Sequence, residues 1–84
     1  MIEPGNHVAL IDRFGDTWIR VDEYPGRHGN WHPLTDGPNW ESWAQDGIGS
    51  ARDWITVQES GPFEVADVDR AAKALARVIE EARR

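Results

Sequence analysis

Five tryptophans, Trp18, Trp31, Trp40, Trp43 and Trp54, stand in the first two thirds of an 84-residue chain that has few aliphatic residues there. Each indole can bury about 150–250 Å², so two or three of them suffice to build the core of a domain this small. The others are then left partly exposed, where aromatic rings mark a contact surface. A chain of this length forms one domain and buries only about 60–65% of its unfolded surface, so its stability is marginal unless a partner or a second copy adds to it. The absence of cysteine removes disulfides and thiolate chemistry. No apolar run reaches the roughly 18–20 residues of a membrane span, and Met1-Ile2-Glu3-Pro4-Gly5 lacks the basic start and apolar stretch of a signal peptide. The expectation is a soluble cytoplasmic protein.

Charge is unevenly spread. Residues 1–66 carry eleven carboxylates against four arginines, a balance of −7, whereas residues 67–84 carry four against five bases, a balance of +1. Nucleic-acid affinity needs clustered Lys and Arg, so direct DNA or RNA binding is not expected. An acidic surface favours a basic protein partner, or a nucleic-acid mimic that occupies a basic groove.

The runs His7-Val8-Ala9-Leu10-Ile11-Asp12 and Thr17-Trp18-Ile19-Arg20-Val21-Asp22 flank Arg13-Phe14-Gly15-Asp16 and read as a β-hairpin. With the loop centred on Phe14 and Gly15, Leu10 opposes Ile19 and Val8 opposes Val21, so these four face the core together. Ile11 beside Trp18 and Ala9 beside Arg20 take the other face. Residues 24–30 close a second hairpin, leading to a short third strand, Trp31-His32-Pro33-Leu34, which Pro33 places at a sheet edge. Residues 35–50 read as a loop that sets Trp40, Trp43 and Ala44 on one side. For residues 51–60 the β-branched Ile55-Thr56-Val57 favours a strand. Against it stand a capping-box-like Ser50-Ala51-Arg52-Asp53 and the stop Gly61-Pro62, which favour a helix. Phe63-Glu64-Val65 follows as a final strand. Val68, Ala71, Ala72, Leu75, Val78, Ile79 and Ala82 recur at helical spacing behind Asp67 as N-cap.

Asp12-Arg13-Phe14-Gly15-Asp16-Thr17-Trp18-Ile19-Arg20, with the Trp54 segment running into Gly61-Pro62-Phe63-Glu64-Val65, resembles a group of small uncharacterised proteins of actinobacteria and their bacteriophages. That group carries an Asp-x-x-Gly-Asp-x-Trp-x-Arg hairpin and a Trp-bearing helix ending in Gly-Pro. The resemblance covers about half of the chain, and residues 35–50 and the C-terminal helix depart from the pattern. It implies a small α+β fold, a phage or prophage setting and a helix over 51–60. It transfers no catalytic residue.

His28 and His32 are four apart, but Gly29, Asn30 and Pro33 argue against the helix that would let them share an ion. In a strand they stand about 13 Å apart. No metal and no cofactor are expected. Asp46-Gly47-Ile48-Gly49-Ser50 lacks the ending of a P-loop and the spaced acids of a calcium loop, so a connecting loop is expected there. The fold expected is α+β: a small antiparallel sheet of three or four strands with the C-terminal amphipathic helix packed on one face, an SH3-like partial barrel being the alternative. The function expected is that of a non-enzymatic interaction module, a phage or prophage accessory protein that binds a host or phage protein through an acidic surface bearing Trp18, Trp40, Trp43, Asp22 and Glu23. A basic stripe of Arg70, Lys73 and Arg77 is the secondary candidate surface, for an acidic partner or the acidic sheet of a second copy in a homodimer. The rival readings are a nucleic-acid mimic and a small hydrolase-type enzyme using histidines assembled by the fold.

Overall fold

The computed structural model describes residues 2–34 and 51–83. The first two strands, β1 (Ala9–Ile11) and β2 (Thr17–Arg20), pair antiparallel with Ala9 opposite Ile19, Leu10 opposite Trp18 and Ile11 opposite Thr17. This register differs by one residue from the sequence expectation, and Asp12 supplies the reason. Its carboxylate Oδ1 accepts from the backbone N–H groups of Phe14 and Asp16, both at 2.9 Å. Its own N–H donates to the Asp16 carbonyl at 2.9 Å, and Gly15 takes a left-handed φ of 86°. The loop therefore holds Arg13, Phe14 and Gly15, a turn closed by a left-handed residue in place of a two-residue turn. A shift of one residue turns a strand over relative to its neighbour. Ile19 and Val21 consequently join Ala9 on one face, while Leu10 and Val8 lie with Trp18 on the other. The expectation that Leu10, Val8, Ile19 and Val21 share a face is corrected.

Strand β3 (Trp31–Leu34) pairs antiparallel with β2, Trp18 opposite Pro33 and Arg20 opposite Trp31, and it forms one edge of a four-stranded sheet of order β3-β2-β1-β4. The Val21 N–H bonds the Asn30 carbonyl, so by alternation along the ladder Pro33 occupies a site whose N–H would point out of the sheet. Proline costs nothing there. Gly29 lets the second half of the chain dock, because a Cβ at this position would fall 2.2 Å from the Arg52 carbonyl carbon.

Of residues 51–60, those from 54 onward are helical. Helix α1 (Trp54–Val57) passes into a 3-10 turn, Gln58–Ser60, and its cap is Asp53, three residues beyond the expected Ser50. The Asp53 carboxylate accepts from the Thr56 N–H at 2.8 Å. A local cap and the burial of Val57 together override β-branched propensity. Strand β4 (Glu64–Val65) then pairs antiparallel with β1. Helix α2 (Val68–Ala82) starts at Asp67, which accepts from the Arg70 N–H at 2.8 Å. It buries Ala74 and Val78, with Ala71 and Leu75 beside them. Val68, expected on this stripe, is instead 84% exposed.

The result is an α+β domain whose sheet is covered on both sides. Ala9, Ile19 and Val21 meet α2 on one side. Leu10, Trp31 and Val57 form the other core with Val8, Trp18, Trp54 and Phe63 around them, and the ring centroids of Trp54 lie 5.2 Å from Trp31 and 5.9 Å from Phe63. Among the described residues no helix is long and apolar enough to cross a membrane.

Candidate functional site

Of the residues nominated for partner binding, Trp40 and Trp43 lie outside the described residues. Trp18 is half-buried on the aromatic face, and its indole Nε1 donates to Asp12 Oδ2 at 3.0 Å. Asp12 is itself only 7% exposed, so the pair fixes the hairpin and does not present a free ring.

Asp22 and Glu23 follow β2 in a turn, and each anchors a different segment. Asp22 grips the Arg20 guanidinium side-on, with Nε–Oδ1 at 2.8 Å and Nη2–Oδ2 at 3.2 Å, and accepts from the Asn30 side-chain amide. Glu23 accepts from Asn6 Nδ2 and pairs with His7 Nε2. Arg20 in turn donates to the Pro4 carbonyl at 2.7 Å, and Glu3 accepts from the Trp31 indole N–H at 2.9 Å. These bonds tie residues 3–7 across the end of the sheet. The hydrogen bond from Arg20 holds the Asp22 carboxyl below its usual range, and the bonds from Asn6 and then His7 do the same for Glu23. Both acids are exposed, but Glu23 fastens the N-terminal segment and Asp22 holds Arg20 and Asn30.

The three imidazoles have separate settings. His7, at a left-handed φ of 67°, sits on Glu23. His28 is exposed, in a bridge with Arg52. His32 is buried on the α2 face with Nε2 donating to the Tyr24 carbonyl at 2.8 Å, and burial pushes its pKa down. Among the described residues no three His, Asp or Glu side chains form a group able to hold a metal ion.

Among the described residues two surfaces remain once these roles are assigned. At the sheet edge, Phe63 tucks its ring against Trp54 on one face and Ala66 packs into the α2 core on the other. Between these two anchors Val65 is left 69% exposed, and Val68 stands exposed as the first residue of α2. Exposed Glu64, Asp67 and Asp69 flank both valines. The Ala66 N–H bonds the Ala9 carbonyl at 2.9 Å, so in the alternating ladder the N–H and C=O of Val65 point away from the sheet. The opposite edge is closed: Trp31 exchanges two hydrogen bonds with Arg52, and Pro33 has no N–H to offer.

The second surface belongs to the basic stripe. Arg70, Lys73 and Arg77 lie beside Thr17 of β2, Leu34 of β3 and Ala74, lining a cleft of about 210 Å³. Arg70 donates from Nε to Thr17 Oγ1 at 2.8 Å. Sequence reading located this stripe but passed over the valine edge. The alternation Glu64-Val65-Ala66-Asp67-Val68-Asp69 was the available signal, obscured because Val68 fits the helical period. Compared with family models, with curated proteins and with solved structures, the chain matches none.

Proposed function

We propose that the chain is a non-enzymatic interaction module that takes a basic, strand-forming segment of a protein partner along the free edge of β4. The observation that carries this reading is Val65, 69% exposed on the sheet edge that no other described strand pairs with, followed by Val68, 84% exposed at the start of α2, with three carboxylates beside them. An extended segment added there gains main-chain hydrogen bonds to Val65, while its alternate side chains cover the valines. Lysines or arginines on the segment face Glu64, Asp67 and Asp69, and the acid excess of residues 1–66 steers its approach. A second copy of the chain docking by the same edge would set like charges opposite each other, which disfavours it. In the phage or prophage setting that the hairpin motif suggests, the partner is a host or phage protein.

The test uses two short synthetic peptides of equal β-propensity, one alternating Val with Lys and one alternating Val with Glu, titrated into the isotope-labelled chain. The Lys peptide is expected to shift the amides of residues 63–69 and to bind more weakly as salt rises. The double substitution Val65→Ser, Val68→Ser should weaken it at least tenfold, since it removes two apolar anchors. Equal binding of the Glu peptide, or shifts centred elsewhere, would show that this edge is not the working surface.

A further inference from the structure

Residues 70, 73 and 77 follow one another at the spacing of neighbouring helical turns, so the three cations of α2 stand on one side of the helix, the side that overhangs Thr17 and Leu34. Among the described residues the cleft so formed is lined by Thr17, Leu34, Arg70, Lys73, Ala74 and Arg77, three cations and no carboxylate. Arg70 is not simply extended into water. Its Nε–H is bonded to the hydroxyl of buried Thr17 at 2.8 Å, and Nη2 lies 3.4 Å from the Gly15 carbonyl. That fixes the plane of the guanidinium and leaves further N–H donors unused out of its five. Among the described residues neither Arg70 nor Lys73 forms an ion pair. Like charges at this spacing repel, and an anion seated between Arg70 and Lys73 relieves that repulsion.

We infer that the cleft binds a phosphoryl group, with the guanidinium of Arg70 and the ammonium of Lys73 as donors, Arg77 adding positive charge, and Leu34 and Ala74 giving apolar lining. Charge selects the ligand. A phosphate monoester carries about −1.5 to −2 near neutral pH and three acceptor oxygens, which suits two or more cations and the fork of an arginine, whereas one carboxylate leaves cations unmatched. Size selects it too, because about 210 Å³ falls below the roughly 300–1,000 Å³ of sites for whole small molecules. At physiological salt the acids elsewhere on the surface are largely screened beyond about 8 Å. This site is independent of the β4 edge and stands or falls separately from it.

Two sources share the chemistry, inorganic phosphate and a phosphorylated side chain of a protein. The isotope-labelled full chain is titrated with inorganic phosphate, with a short phosphoserine peptide, and with the same peptide carrying glutamate in place of phosphoserine. Phosphate and the phosphopeptide are expected to shift the amides of Thr17, Leu34 and residues 70–77. Lys73→Gln, which keeps helix propensity, should weaken both about tenfold, the loss of one charge-assisted hydrogen bond. Tighter binding of the phosphopeptide than of phosphate identifies a protein-borne group, and equal or weaker binding identifies the free anion. The inference is overturned if the glutamate peptide binds as tightly as the phosphopeptide, or if the cleft amides stay still at roughly 20 mM phosphate, above the millimolar range of weak sites. It is overturned equally if folded Lys73→Gln binds like the parent chain.

Discussion

On the α2 side of the sheet Ala9, Ile19 and Val21 meet Ala74 and Val78, aliphatic groups that need only shape to pack. On the other side Leu10 and Val57 are set among Trp31, Trp18, Trp54 and Phe63, and three of these neighbours bring an indole N–H that must find an acceptor or go unsatisfied. Asp12 answers for Trp18 and Glu3 for Trp31, whereas the buried Nε1 of Trp54 has no hydrogen-bond partner among the described residues. The difference teaches where part of the acidity of this chain comes from. An aliphatic core makes no demand on the surface, but an aromatic core draws carboxylates inward, so a share of the −7 carried by residues 1–66 serves packing rather than steering.

The sharpest way to break the comparison is Trp31→Ala. Trp31 is fully buried and bonded to Glu3, so its loss should cost about 3–5 kcal/mol, enough to unfold much of a domain this small; a urea midpoint near that of the parent would remove Trp31 from the core. Next come Leu10→Ala and Ile19→Ala, each expected to cost about 2–4 kcal/mol. They should differ in place more than in size. Hydrogen exchange should rise first in α2 for Ile19→Ala and first in residues 54–60 for Leu10→Ala, and identical patterns would deny that the sheet has two separate cores. Asp12→Ala removes the acceptor of two backbone N–H groups and one indole and should cost about 2–3 kcal/mol. If the variant keeps parental stability, Asp12 does not hold the hairpin.

A change of pH tests the polar group on the aliphatic side. Burial lowers the pKa of His32 from its usual 6.5, so the unfolded chain takes up this proton at a higher pH than the folded one does. Stability is then highest above 6.5 and declines as pH falls from there towards the folded pKa. Asp22, Glu23 and Asp53, all held below their usual values by hydrogen bonds, extend the decline at lower pH. Asp16, raised by burial and by the charge of Asp12, works in the opposite sense. His32→Gln should flatten the slope between pH 7 and 5 in urea titrations, and an unchanged slope would assign it to other groups. The smallest effect belongs to Trp54→Phe. The lost apolar area is offset by the removal of an N–H buried without an acceptor, so the change should stay within about 1 kcal/mol, against a larger cost for Trp31→Phe, which strands Glu3. Equal costs would mean that the indole of Trp54 is satisfied after all.

How much of this was legible follows from the same contrast. Strand β3 at an edge, β4 after Gly61-Pro62 and the Asp67 cap are local signals, written in proline, glycine and aspartate, and the α+β class follows from them. The register of the first hairpin was not legible from alternation, because apolar residues at successive positions suit a sheet covered on both faces and satisfy either pairing. It is set by a carboxylate that folds back onto its own loop. That two or three tryptophans build the core was legible from composition, and Trp18, Trp31 and Trp54 do so; which of them packs inward was not, because an indole suits either a core or a contact surface. Val68 fits the helical period but falls beyond the area that β1 and β2 present to α2.

Trp31 and Arg52 exchange two backbone hydrogen bonds, at 3.0 and 2.8 Å. Arg52 is thus clasped to the edge strand over a glycine that permits no side chain. The two segments approach so closely that any side chain at position 29 would hold them apart. In engineering terms the joint between the two halves of the protein is a latch that a single methyl group at position 29 can spring.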